Sequence, residues 1–63
     1  MMRRDLIGHL IRAGCRLERE SDRHSWWHNL ERDRRSAVPR HSEIAGPLVQ
    51  KICRDLHIEP PHP

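Results

Sequence analysis

Two stretches of this 63-residue chain collect groups that move protons and hold phosphate. Arg23-His24-Ser25-Trp26-Trp27-His28-Asn29 carries both tryptophans and two of the six histidines, and Val38-Pro39-Arg40-His41 adds a third histidine beside another arginine. Imidazole titrates near neutral pH, so it can take up or release a proton under physiological conditions. Guanidinium binds phosphate bidentately and stacks on bases. The combination suits chemistry on a polyanion. The whole chain leans the same way, with 12 Lys+Arg against 9 Asp+Glu for a formal net charge of +3, and with Arg supplying all of the cations but Lys51. This bias favours nucleic acid as a partner, although the same charge would also serve to solvate a small domain.

These residues need a scaffold, and the hydrophobic spacing supplies one. Leu6, Leu10 and their neighbours Ile7 and Ile11 lie on one face of a helix expected from Arg3 to Ala13, with Gly14 as its left-handed stop. Cys15-Arg16-Leu17-Glu18 alternates apolar and charged residues as a half-buried strand does, and Ser21-Asp22-Arg23 reads as the turn leaving it. His24 to Asn29 forms a second strand, and Arg34 to Val38 a third that Pro39 ends, because proline cannot donate to a ladder. Leu48, Val49, Ile52, Cys53 and Leu56 recur at helical spacing, with Gly46-Pro47 at the start of that helix. The sequence therefore predicts an α+β domain in the order α-β-β-β-α: a three-stranded antiparallel sheet with both helices on one face and the other face open. Residues 1–58 make the domain and 59–63 a Pro-rich tail with nothing to pack on. The expected core is Leu6, Leu10, Leu17, Trp27, Val38, Leu48, Val49 and Ile52. A chain this short buries only about 60% of its unfolded surface, so that core is thin.

On the second strand, His24, Trp26 and His28 share one face and Ser25, Trp27 and Asn29 the other. Trp27 is assigned to the helices. Trp26 then lies on the open face, where it would stack a base or anchor a protein interface. His24 and His28 are separated by about 13 Å along a strand, too far to serve one phosphodiester or to share a zinc ion. His28 reads as a surface or RNA-contacting residue. His41, at the end of the third strand, could point back toward the second and is the better partner for His24; shaping the turn into the last helix is its other reading. Arg16, Arg23 and Arg40 are the candidates to hold phosphate. Cys15 and Cys53 have apolar neighbours and no Cys-x-x-Cys spacing, so they read as reduced core thiols, and no metal or cofactor is expected. No apolar run is long enough for a signal sequence or a membrane helix, which makes a soluble, cytoplasmic protein the expectation.

Asp5-Leu6-Ile7, the Ala13-Gly14-Cys15 junction, a strand ending in charged residues, Arg23-His24-Ser25-Trp26-Trp27, Ser36-Ala37-Val38-Pro39-Arg40-His41 and Lys51-Ile52-Cys53-Arg54-Asp55-Leu56 follow one another as in the HicA family of type II toxins, which the chain resembles from about Arg4 to Ile58. The resemblance implies a miniature double-stranded-RNA-binding fold, ribosome-independent mRNA cleavage, and neutralisation by a HicB-type antitoxin, as a homodimer or within a toxin–antitoxin hetero-oligomer. It places the catalytic histidine at His24, which opens the second strand. The family pattern has Gly-Ser or Gly-Gly before that histidine, where this chain has Asp22-Arg23. Metal-free RNA cleavage needs a base, an acid and cations, because the nucleophile is the substrate's own 2′-hydroxyl; His24, the arginines and His41 as the candidate second proton carrier meet that need. The competing readings are a noncatalytic RNA-binding module and a protein-interaction unit built around Trp26.

Overall fold

A computed structural model describes residues 1–62; Pro63, the last residue of the expected tail, lies outside them. The order is α1 (Arg3–Arg12), β1 (Cys15–Glu20), β2 (His24–Asn29), β3 (Arg34–Pro39) and α2 (Gly46–Asp55). The three strands form one antiparallel sheet in the order β1-β2-β3, so β2 is central. Helix α1 packs against β1 and α2 against β3. Between sheet and helices lies the core: Leu6, Leu10, Cys15, Trp27, Val38, Ile44, Val49, Ile52, Cys53 and Leu56. Both cysteines are free and buried, and burial pushes both thiols up.

Helix ends follow local backbone rules. Gly14 has φ +93°, the left-handed stop expected of it. At the end of α2 it is His57 that turns left-handed, with φ 55°. Its N–H donates to Arg54 O (3.1 Å) while Ile58 N–H donates to Cys53 O (3.0 Å), a Schellman closure made without glycine. Ile58 then packs on the core.

Two expectations are corrected. Leu17 faces the same side as its register partner Trp27, yet it is 47% exposed. Strand β1 is an edge strand and the helix layer covers only its first residue, Cys15. Leu48 is half-buried at the margin, while Ile44 and Leu56 complete the centre. The tail is also less free than its prolines suggest: His9 Nε2 donates to Glu59 O (2.7 Å), and Pro61 is half-buried.

A β-bulge interrupts β1 between Leu17 and Arg19. Cys15, Arg16 and Leu17 pair with Asn29, His28 and Trp27, but Arg19 and Glu20 pair with Trp26 and Ser25. One extra residue reverses the face on which each subsequent side chain lies. Glu20 consequently turns to the helix side, opposite Ser25, instead of joining Arg16 on the open face.

Candidate functional site

The β1–β2 turn sets the position of His24. Two-residue hairpin loops usually need positive φ, which explains a glycine preference at this point. Here neither Asp22 nor Arg23 has positive φ. Ser21 makes the closure instead: its N–H donates to His24 O (2.8 Å), and its hydroxyl oxygen accepts from His24 N–H (3.3 Å). On the other side His24 pairs with Pro39 across β2 and β3, and Arg40 N–H donates to Arg23 O (3.1 Å), extending the ladder past the strand ends. Arg23 and Arg40 are therefore neighbours, with His24 just inside them and His41 just beyond.

These residues line one open cleft of about 470 Å³, formed by Asp22, Arg23, His24, Pro39, Arg40 and His41. Four of the seven residues singled out from the sequence, His24, His41, Arg23 and Arg40, meet there. The cleft offers two exposed imidazoles and two guanidinium groups around a space large enough for a phosphodiester. Such a set can accept a proton, donate a proton and balance negative charge.

Arg16, Trp26 and His28 lie elsewhere. Arg16 and His28 are register partners on the open face, one strand length from the cleft. His28 is tied down there, with Nε2 2.9 Å from Asp33 Oδ1 and Nδ1 3.9 Å from Glu18, and Arg35 bridges the same two carboxylates. The His28 hydrogen bond is the main reason that Asp33 is held below the usual carboxylate range, with Arg35 contributing. Trp26 is half-buried, and the Arg19 guanidinium sits over its ring at 5.5 Å from the centroid.

Beneath the cleft is a polar chain that the sequence did not reveal. Ser25 is fully buried; its hydroxyl accepts from Arg3 Nη2 and donates to Glu20 Oε2, each at 2.6 Å. Arg3 Nε also donates to Pro39 O (2.9 Å), and Glu20 lies 3.8 Å from Arg40. The Ser25 hydrogen bond and then the nearby arginines hold Glu20 below its ordinary value. The chain fixes the backbone opposite His24 and gives Arg40 a carboxylate neighbour. Arg3 is distant in sequence from its partners, and Glu20 meets Ser25 only because of the bulge, so periodicity carried no signal for either. Among the described residues no three His, Cys, Asp or Glu side chains converge as a metal site would require.

Comparison with known proteins agrees with this layout. A family model described as the HicA toxin of bacterial toxin–antitoxin systems matches residues 3–58, nearly the whole chain. No curated protein and no solved structure matches.

Proposed function

The chain belongs to the HicA toxins of bacterial toxin–antitoxin systems, and we propose that it acts in that role as a metal-independent mRNA endoribonuclease whose proton transfers are made by His24 and His41. What supports this reading is the single cleft in which both histidines stand beside Arg23 and Arg40. In the proposed reaction one imidazole takes the proton of the ribose 2′-hydroxyl, and that oxygen attacks the adjacent phosphorus. The bond from phosphorus to the 5′ oxygen breaks, and the second imidazolium gives that oxygen its proton. The products are a 2′,3′-cyclic phosphate and a 5′-hydroxyl, and each histidine ends in the protonation state the other began with. Arg23 and Arg40 balance the charge that builds on the phosphoryl oxygens. Arg16, Trp26 and His28 line the sheet face along which RNA would continue.

The partner in this reading is a HicB-type antitoxin that covers the cleft, pairing acidic groups with Arg23 and Arg40. A protein acting on mRNA in this way works in the cytoplasm.

The test is cleavage of a labelled RNA by purified protein. His24→Ala should lose about 10² to 10⁴ in rate, the usual worth of a positioned acid or base, while retaining its fold and much of its RNA binding. A substrate with 2′-deoxyribose at the scissile position should resist, since it lacks the nucleophile, and chelator should leave the rate unchanged. If His24→Ala cleaves as fast as the parent, the assignment fails. If the parent binds RNA without cleaving it, the noncatalytic RNA-binding reading takes its place.

A further inference from the structure

The N-terminal residues are stitched to the segment after β3. Met2 and Glu43 form an antiparallel bridge, Arg3 N–H donates to Ser42 O and Ile44 N–H to Met1 O, each at 2.7 Å. This brings the first turn of α1 beside Arg40 and encloses a second cleft of about 320 Å³, lined by Met2, Arg3, Arg4, Arg40 and Ser42. Three arginines line it and no carboxylate does. Arg3 is held through Nε by Pro39 O and through Nη2 by Ser25. Arg4 is exposed and makes no ion pair or side-chain hydrogen bond among the described residues. Arg40 belongs to both clefts.

The shared arginine decides what kind of ligand fits. A lone small anion would be satisfied by one cleft. Two cationic clefts joined through one side chain suit a polymer with a phosphate at every repeat, crossing Arg40 from one to the other. We propose that the second cleft is a phosphate subsite, in which Arg4 and Arg40 bind the phosphodiester next to the scissile one. This rests on the ribonuclease reading above. It makes the enzyme selective for substrate length: an RNA with a second phosphate reaches Arg4, and a bare dinucleotide does not.

The experiment compares kcat/KM for an RNA dinucleotide with that for the same dinucleotide carrying an added terminal phosphate, at the 5′ end or at the 3′ end. The parent should gain about tenfold from one of these additions, as a charge-assisted contact provides. Arg4→Gln should lose most of that gain. Arg12→Gln, which removes an exposed charge at the far end of α1, should keep it. No gain in the parent, a gain that survives Arg4→Gln, or an equal loss in Arg12→Gln would each overturn the subsite. Should the parent cleave nothing, the ribonuclease reading is what fails, and binding of a 2′-O-methyl oligonucleotide decides the subsite alone. There Arg4→Gln should reduce the slope of log affinity against log salt by about 0.7, one single-strand phosphate contact; an unchanged slope, or a loss of antitoxin affinity alone, would count against it.

Discussion

Ser25 shows how much one hydroxyl can organise. With no exposed surface, it joins a cation and an anion, accepting from Arg3 and donating to Glu20. Glu20 is exposed, so water can replace its lost bond, but the half-buried Arg3 guanidinium would be left facing a buried site with no acceptor, which costs more than a neutral hydrogen bond gives. Ser25→Ala should therefore cost about 1 to 3 kcal/mol in urea unfolding, although it deletes a single oxygen. Arg3 also grips Pro39, the register partner of His24, so the same variant should cleave RNA more slowly while still folded. If Ser25→Ala unfolds at the parent's urea midpoint, the bridge adds nothing. His28 makes the contrasting case. Its partners Asp33 and Glu18 are at the surface, where solvent screens ion pairs, and His28→Ala should leave stability close to the parent's and harm cleavage far less than His24→Ala does.

At the scale of elements, the sequence disclosed whatever depends on periodicity and on local backbone chemistry. The spacing of Leu6 and Leu10, the glycine after α1 and the proline entering α2 gave both ends of α1 and the start of α2 within a residue. Alternation along β2 put the two tryptophans on opposite faces, and Trp27, assigned to the helix side, is the buried one. What it missed has a common cause. A bulge adds a residue without changing composition, so the charged run Glu18-Arg19-Glu20 hid the point at which β1 reverses its faces. Burial of Leu17 depended on whether a helix reaches the far part of β1, which is a question of layer extent rather than of pattern. The first cleft was legible as chemistry in His24, Arg23, Arg40 and His41, whereas the second was not, because Arg3, Arg4 and Ser42 come together beside Arg40 only through the pairing of Met1–Arg3 with Ser42–Ile44. The same difference in burial orders two substitutions in α2. Ile52 is 1% exposed and Leu48 is half-buried, so Ile52→Ala should cost about 2 to 5 kcal/mol and Leu48→Ala clearly less. Urea midpoints in the opposite order would mean that α2 is rotated from its observed orientation.

For the molecule as a whole, acid sensitivity arises from where its carboxylates sit. Glu20, Asp33 and Asp55 are all held below their ordinary values, chiefly by hydrogen bonds from Ser25, His28 and Lys51 respectively. Each group binds its proton less readily in the folded chain than in the unfolded one. Just below the ordinary carboxylate range, near pH 4, the unfolded state therefore holds more protons, and stability falls as pH falls. The stabilisation is complete above that range and disappears as pH drops through the depressed folded values. A chain already at +3 with neutral histidines also becomes more cationic as its carboxylates are neutralised, and self-repulsion adds to the loss. The melting temperature should thus be nearly level from about pH 5.5 to about pH 8, below the range in which the two raised thiols begin to matter, and decline below about pH 4.5. Glu20→Gln should lower it at neutral pH and flatten the acid decline, because the variant carries no proton-linked charge at that position. A parent whose melting temperature rises between pH 5 and pH 3 would show that these three carboxylates are not held by the partners that surround them.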